Sequence, residues 1–330
     1  MRSRQLTMLT AVAAAALVVV AGCEATVHAK AFSSTPQTVS EPPPQAEPQL
    51  VDLLLRSVTP PPTGMPMATT ATPTRMPMAL PNVGMTGLAG VQARMQQATA
   101  QATASGATLS VAVLDRVSHQ LVSNGNDQII ATASVAKLFI ADELLLQESE
   151  GRAALSADDH QALDVMLQSS DDGAAERFWG QDGGDAIITQ VASRYGLTST
   201  TPPSDGRWWN TISSAPDLIR YYERLLDGSG GLPWERARLI VNDLAHSTPT
   251  GIDGYPQRFG IPDGLYAEPV AVKQGWMCCV GADWMHLSTG VIGSDRRYIM
   301  VIESLQPSDD ATARETITQA VKTIFPDGRI

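Results

Sequence analysis

The stretch that decides the fold is Ser134-Val-Ala-Lys137, and it is followed at once by the apolar run Leu138-Phe-Ile-Ala-Asp-Glu-Leu-Leu-Leu146. Residues three apart on a helix share a face, so the Ser134 hydroxyl and the Lys137 amine are predicted to lie side by side. Burial lowers the pKa of a lysine, and a neutral amine can accept a proton from a neighbouring hydroxyl. The stretch therefore predicts a nucleophilic serine. The alternative is a helix N-terminus with a capping serine and a solvated lysine.

Two further motifs follow in chain order. Ser170-Asp-Asp172 stands where a loop is predicted to enter a helix, and Lys273-Gln-Gly275 follows an apolar β run. Three motifs in this order and setting resemble the serine β-lactamase and penicillin-binding protein superfamily, whose marks are S-x-x-K, S-D-N and K-T-G. The resemblance covers residues 88 to 328 and is closest to class A β-lactamases.

The resemblance implies a role for each polar residue of these motifs. Ser134 would attack a carbonyl carbon and form an acyl-enzyme, with Lys137 accepting the hydroxyl proton. Ser170 would relay a proton to the departing nitrogen, and Lys273 would supply positive charge for a substrate carboxylate. The backbone N–H groups of Ser134 and Trp276 would form the oxyanion hole. No cofactor and no metal are implied.

Two departures from the family pattern affect substrate binding, which the resemblance assigns to Asp172, Gln274, Gly275 and Trp276. Asp172 replaces the usual Asn, and an ionised carboxylate cannot donate the hydrogen bond that an amide gives to a substrate carbonyl. This predicts weaker binding, a protonated Asp172 or a different substrate. Gln274 replaces a small hydroxyl residue, and its longer side chain is expected to crowd the place of a substrate carboxylate.

A third departure affects deacylation. Class A β-lactamases use a Glu that activates water, and it is expected in the loop before Ser213-Ser-Ala-Pro216. Residues 196–210 contain no Glu, and Asp205 is the only acid among them. We therefore expect slow deacylation, which does not fit a protein that destroys β-lactam antibiotics efficiently.

The first 22 residues have the pattern of a secretory signal peptide. Arg2 and Arg4 precede an apolar core, Leu9 to Ala21, that is short for a membrane span. Small residues then precede Cys23, which resembles the lipobox of bacterial lipoproteins, where this cysteine is lipidated. An ordinary cleavage site with an incidental cysteine is the alternative. The lipobox predicts an exported protein anchored by lipid to the outer face of the bacterial cell membrane.

The charge balance excludes one class of partner. The chain has 23 Lys and Arg against 34 Asp and Glu, a net charge of −11. Nucleic-acid binding requires clustered basic residues, and an acidic protein is not adsorbed to an anionic membrane by charge. The lipid on Cys23 is therefore the predicted membrane contact, and peptidoglycan or a small amide or ester is the predicted substrate.

Composition divides the rest of the chain in two. Residues 23–85 are rich in Pro, Thr, Ser and Met, cannot bury a core, and are predicted to form an extended tether. Residues 86–330 are predicted to form one α+β domain of the β-lactamase-like kind. Strands from both ends of this domain would form an antiparallel sheet, flanked by N- and C-terminal helices, with a helical subdomain from the middle.

Other local patterns have structural interpretations. Ser156 with Asp159, and Ser214 with Asp217, predict two helix capping boxes. The pair Trp208-Trp209 either forms an exposed aromatic platform or packs a loop against the core, and we expect packing.

The adjacent Cys278 and Cys279 can form a vicinal disulfide, pair with another chain, or stay reduced and buried. We expect reduced, buried thiols, because free cysteine packs as a small apolar residue. No cysteine or histidine spacing typical of a metal site is present.

Two functions remain open from the sequence. The first is a lipid-anchored serine hydrolase or acyltransferase for a cell-wall peptide or a related amide or ester. The retained Ser134, Lys137, Ser170 and Lys273 favour it. The second is a catalytically inactive lipoprotein that binds a cell-wall component or a partner protein. The departures at the second and third motifs and the missing Glu favour this alternative.

Overall fold

The structure, a computed structural model, describes residues 88–330, so the predicted signal peptide, Cys23 and the predicted tether lie outside the described residues. The helices in this range are α1 (Val91–Ala104), α2 (Lys137–Ser149), α3 (Ala157–Gln168), α4 (Asp172–Gln181), α5 (Asp185–Tyr195), α6 (Ala215–Asp227), α7 (Trp234–Ala245), α8 (Ile261–Gly264) and α9 (Asp310–Ile324). None of these helices combines the length and the apolar character needed to cross a membrane.

The strands are β1 (Thr108–Asp115), β2 (Gln120–Ser123), β3 (Ile129–Ala131), β4 (Ile212–Ser214), β5 (Val270–Val280), β6 (Asp283–Ile292) and β7 (Tyr298–Gln306). Five of them form one antiparallel sheet in the order β2-β1-β7-β6-β5, and β3 pairs with β4. β1, near the start of the domain, pairs along its whole length with β7, near the end, from Thr108 opposite Leu305 to Asp115 opposite Tyr298. The predicted α+β fold is confirmed, and β5 lies at one edge of the sheet.

The apolar residues of β1 contribute to two separate cores. Val111 and Val113 pack with residues of α1 and α9 on one face of the sheet. Ala112 and Leu114 pack with residues of the helical subdomain on the other face. Successive side chains of a strand point to opposite faces, so a strand covered on both sides has a continuous apolar sequence.

Helix α2 is the central helix of the subdomain. Every residue from Lys137 to Leu146 is buried, and the helix contacts α3, α4, α5 and α7. A helix that is apolar all round is enclosed by its neighbours, which explains the long apolar run in the sequence. One detail differs from our expectation. Ser134 does not open this helix but lies in a preceding 3₁₀ helix, Ala133–Ala136.

Two acids inside α2 are paired with a basic residue of α5. Nη2 of Arg194 lies 2.6 Å from Oδ1 of Asp142 and 3.1 Å from Oε2 of Glu143. The hydroxyl of Tyr195 also donates to Asp142. Burial raises the pKa of the Asp142 carboxyl, and the positive charge of Arg194 opposes that effect. The pairing therefore ties α2, and with it Lys137, to α5.

One of the two predicted capping boxes is present. Ser156 and Asp159 bond reciprocally at the start of α3. Ser214 is the N-cap of α6, but its side chain makes no capping bond. The second prediction was wrong because the Asp217 carboxylate accepts from the backbone N–H of Ser199 at 2.7 Å, and so holds the preceding loop instead.

Replacing Arg194, the cation that pairs with the two buried acids of α2, should destabilise the domain. Arg194→Met leaves the Asp142 carboxylate in the core without its partner, and we expect a loss of about 3 kcal/mol in the free energy of unfolding. Arg258→Met is the control, because Arg258 pairs with Asp263 and both side chains are about half exposed. Pairs of that kind contribute at most about 1 kcal/mol. Urea denaturation of both variants measures the difference, and equal losses would contradict the assignment.

Candidate active site

Three segments that are distant in the chain meet at the edge strand β5. Nζ of Lys137 lies 2.8 Å from Oγ of Ser134 and 2.8 Å from the backbone oxygen of Ser170. Nζ of Lys273 donates to Oγ of Ser170 at 2.6 Å. The structure thus brings together all four residues predicted to be catalytic, with two hydroxyls and two amines in one hydrogen-bonded group.

Both amines of this group are shielded from water. The exposure of Lys137 is 0% and that of Lys273 is 1%. Burial lowers the pKa of each amine, and the charge of Lys137 lowers the pKa of Lys273 further. A lowered pKa favours the neutral amine, which is the form that can accept a proton.

Asp172 opposes the lowering of the pKa of Lys137. Its Oδ1 lies 2.5 Å from Nζ of Lys137, although its side chain is 72% exposed. The carboxylate raises the pKa of the Lys137 amine and so opposes part of the effect of burial. Asp172 is placed by the first turn of α4, whose N-cap Asp171 accepts from the backbone N–H of Ala174 at 2.9 Å.

The backbone is strained at two points of the site. Ala133, immediately before Ser134, has φ of 46°, and Ser170 has φ of 60°. For residues other than glycine the left-handed region costs of order 1 to 3 kcal/mol. Strain of this kind persists only where surrounding contacts enforce it, and it is concentrated at functional sites.

Gln274 lies away from the cleft. It is fully buried, and its Nε2 donates to the backbone oxygens of Phe259 at 2.6 Å and Gln257 at 3.1 Å. Side chains alternate along β5, so Lys273 faces Ser170 while Gln274 faces the opposite side of the sheet. The expectation that Gln274 binds substrate or crowds a substrate carboxylate is corrected by this geometry.

Gly275 allows β5 to approach the 3₁₀ helix that carries Ser134. A Cβ at this position would lie 2.5 Å from the backbone oxygen of Thr132 and 3.3 Å from Cγ2 of Val135. The first distance is shorter than any side chain tolerates, and the atom it meets is backbone. Glycine is therefore required by close approach, and this explains the glycine of the third motif.

A cavity of about 220 Å³ opens beside Ser134. It is lined by Ala133, Ser134, Asp172, Trp208, Trp209, Asp253, Trp276 and Met277. Two of the predicted substrate-binding residues, Asp172 and Trp276, lie on its wall. Asp253 was missed by sequence reasoning, because nothing around it distinguishes it from other exposed acids in loops.

Trp208 fills the space beside the buried amine. It is 2% exposed, and its ring centroid lies 4.7 Å from Nζ of Lys137. The expected packing of this residue against the core is confirmed, and it also forms a wall of the cavity. Asp205 accepts hydrogen bonds within its own loop and does not line the cavity. The loop 196–210 therefore contributes two indoles, those of Trp208 and Trp209, and no carboxylate to the wall of the cavity.

The paired cysteines differ from expectation. Cys278 and Cys279 are joined by a disulfide and are exposed. The prediction of buried thiols was wrong because β5 continues past the cleft to Val280 and carries the pair to the surface. Within residues 88–330, no three His, Cys, Asp or Glu side chains are grouped so that they could hold a metal ion.

The domain has a β-lactamase-like fold. A β-lactamase from Chitinophaga pinensis is 13% identical, with a TM-score of 0.58, and the match covers 73% of this chain and 100% of that one. A mutant of PBP-A, solved as an acyl-enzyme complex with penicillin G, is 19% identical, with a TM-score of 0.59 and coverage of 73% and 97%. The predicted resemblance to class A β-lactamases and penicillin-binding proteins is thus confirmed at the level of the fold.

The sequence also has a much closer relative. A protein of Mycobacterium tuberculosis strain H37Rv, named "Putative lipoprotein LppW", is 71% identical over 330 residues and 100% of both chains. A Mycobacterium bovis protein of the same name matches to the same extent. The chain belongs to this LppW lipoprotein family. No protein-family model matches it.

Adding a side chain at Gly275 should push β5 away from the 3₁₀ helix that carries Ser134. We expect Gly275→Ala to lower the free energy of unfolding by roughly 2 kcal/mol, because β5 and the 3₁₀ helix must move apart. Gly180→Ala is the matched control, since a Cβ there meets nothing within 4 Å and the residue lies in α4. That change should be neutral or stabilising by up to about 1 kcal/mol. Thermal unfolding compares the two, and a Gly275→Ala variant as stable as wild type would refute the close approach.

Proposed function

We propose that this lipoprotein is a serine hydrolase or acyltransferase that forms an acyl-enzyme with a cell-wall peptide or a related amide or ester. The observation that carries the proposal is the 2.8 Å contact between the buried Lys137 amine and the Ser134 hydroxyl. A nucleophile, a desolvated base and a cavity that opens beside them are what acyl transfer by a serine requires.

The proposed chemistry uses the four buried residues in turn. When neutral, Lys137 can direct its two N–H bonds to the backbone oxygen of Ser170 and to Asp172, which leaves its lone pair for the proton of Ser134. Oγ of Ser134 then bonds to the carbonyl carbon, and the leaving group takes a proton through Ser170, which Lys273 contacts. The backbone N–H groups of Ser134 and Trp276 are the proposed oxyanion donors.

Acylation of Ser134 and deacylation of the acyl-enzyme should both be slow. The Asp172 carboxylate raises the pKa of Lys137 and so favours the charged amine, which cannot act as a base. The loop 196–210, where a water-activating Glu was expected, contributes Trp208 and Trp209 but no carboxylate to the cavity. We infer that the acyl-enzyme accumulates and that the protein is not an efficient β-lactamase. The penicillin G acyl-enzyme of PBP-A, a protein of the same fold, supports the choice of a penicillin as a probe.

The proposed location follows from the lipoprotein relatives and the N-terminal sequence. Residues 1–22 are proposed to be a signal peptide, Cys23 the lipidated residue, and residues 23–85 a tether for the domain 86–330. The lipid would hold the domain at the outer face of the cell membrane, where cell-wall peptides are available as substrates. The name of the relatives at 71% identity supports the lipid anchor.

A catalytically inactive binding protein is the second candidate. The observation in its favour is the ion pair of Lys137 with Asp172, which disfavours the neutral base. Such a protein would use the cavity to hold a cell-wall component or a partner protein, without a bond to Ser134.

A covalent adduct distinguishes the two candidates. Wild-type protein incubated with a fluorescent penicillin and with an activated ester should gain the mass of one acyl group, which deacylates slowly. Ser134→Ala should gain none, because the nucleophile is absent. Intact-mass spectrometry and gel fluorescence measure the adduct. Absence of both an adduct and any Ser134-dependent ester hydrolysis would leave only the binding protein.

Removing the charge of Asp172 should activate the base. In Asp172→Asn the pKa of Lys137 loses the contribution that raised it, so the neutral amine forms at lower pH. We expect the acidic limb of the acylation rate to move down by roughly one pH unit, with a roughly tenfold faster rate at pH 7. Stopped-flow or quenched acylation across pH 5 to 9 measures this.

Asp158→Asn is the control for this comparison, because Asp158 is an exposed acid of α3 that does not line the cavity. It should leave the pH profile unchanged. An Asp172→Asn profile that coincides with wild type, or that moves to higher pH, would show that Lys137 is not the proton acceptor.

A further inference from the structure

The cavity beside Ser134 has walls of two kinds. Three indoles, those of Trp208, Trp209 and Trp276, line it together with the carboxylates of Asp172 and Asp253. The ring of Trp276 is held in place by stacking on Tyr255 at 4.4 Å between centroids. Indole faces and carboxylates share one property, since both attract a positive charge.

The two lysines of the site do not neutralise the negative charge of Asp172 and Asp253 at the surface of the cavity. Lys137 and Lys273 are at most 1% exposed, and neither lines the cavity. Lys137 is already paired with Asp172, and burial lowers the pKa of Lys273 well below its usual range. Asp253 makes no ion pair among the described residues, and its Oδ1 accepts only from the backbone N–H of Tyr255.

Two basic side chains of the described residues lie beside these indoles: Lys137, whose Nζ is 4.7 Å from the ring centroid of Trp208, and Arg207. The guanidinium carbon of Arg207 lies 5.8 Å from the ring centroid of Trp209, and its Nε lies 3.9 Å from the carboxylate of Asp205. Arg207 does not line the cavity, and its side chain is 64% exposed. Basic groups therefore lie behind two of these indoles, but no described basic side chain lines the cavity itself.

This arrangement is unfavourable for an anionic ligand. A carboxylate entering the cavity would meet two fixed carboxylates and no exposed ammonium or guanidinium. The third motif offers no compensation, because Gln274 points to the other side of the sheet. Like charges brought together in a partly enclosed site repel more strongly than they do in water.

We propose that the cleft binds an ester or amide that carries an organic ammonium group near its carbonyl. The ammonium lies between the indoles and the Asp253 carboxylate, and the carbonyl lies at Ser134. Recognition of ammonium groups by aromatic walls is strongest where water is excluded, which a partly enclosed cavity provides. This inference deepens the proposed function and rests on it, since it names the substrate class of the same site.

The test compares a cation with its neutral isostere in the absence of any reaction. Full-length Ser134→Ala in a non-ionic detergent is titrated with choline, with 3,3-dimethyl-1-butanol and with 3,3-dimethylbutyrate, and intrinsic tryptophan fluorescence reports binding. We expect choline to bind about tenfold more tightly than the neutral alcohol, and the carboxylate to bind more weakly than either. Equal affinity for choline and the alcohol, a preference for the anion, or no binding of choline would overturn the proposal.

Two variants test whether the bound ammonium group lies beside Asp253. Asp253→Asn in the same background keeps an acceptor for the N–H of Tyr255, and it should reduce the preference for choline about fivefold or more. Asp158→Asn removes an acid outside the cavity and should leave the preference unchanged. If Asp253→Asn does not fold, the three-probe comparison on the parent protein still decides the proposal.

The outcome is separable from that of the proposed function. Choline binding is measured without the nucleophile, so a protein that never forms an acyl adduct can still show the cation preference. Conversely, a protein that forms the adduct but does not distinguish choline from its isostere retains the acyl-transfer function and loses only this inference.

Discussion

The buried amine of Lys137 is the constraint on which the arrangement of the site depends. A charged or polar group taken out of water needs hydrogen-bond partners, and a lysine ammonium can only donate, so its partners must be acceptors. Its partners here are Ser134 in the adjoining 3₁₀ helix, Ser170 two residues before α4, and Asp172 in the first turn of α4. Burying this one nitrogen therefore requires that the nucleophile and the second motif converge, and Lys273 on β5 completes the group through Ser170.

The same set of partners determines how reactive the site can be. Ser134 and the backbone oxygen of Ser170 accept from the amine without adding charge, whereas Asp172 adds a full negative charge at 2.5 Å. Burial and the carboxylate act on the pKa of Lys137 in opposite directions. An amide in place of the carboxylate would keep a hydrogen-bond partner without the charge, and this is the electrostatic difference between the S-D-N pattern and Ser170-Asp-Asp172.

The features that could be read from the sequence are those set by local pattern and by the order of motifs. The apolar run after Lys137 predicted a buried helix, and the strands at the two ends of the domain predicted the sheet. The side of β5 on which Gln274 lies depends on register and on what covers the sheet, which no local pattern specifies. Asp253 and the exposed cysteine pair depend on where a loop and a strand end lie in space, and for that reason they were missed or wrongly placed.

The position of β5 at the edge of the sheet has a consequence for association between copies of the chain. An edge strand with free backbone groups can pair with a strand of another molecule and so begin aggregation. β5 is the longest strand of the described sheet, and the 3₁₀ helix packs against the face of β5 on which Gly275 lies, not against its edge. The opposite edge strand, β2, has only 4 residues, too few to offer a long template. The longer edge thus belongs to the strand that carries Lys273, so strand addition there would engage the same strand that builds the cleft.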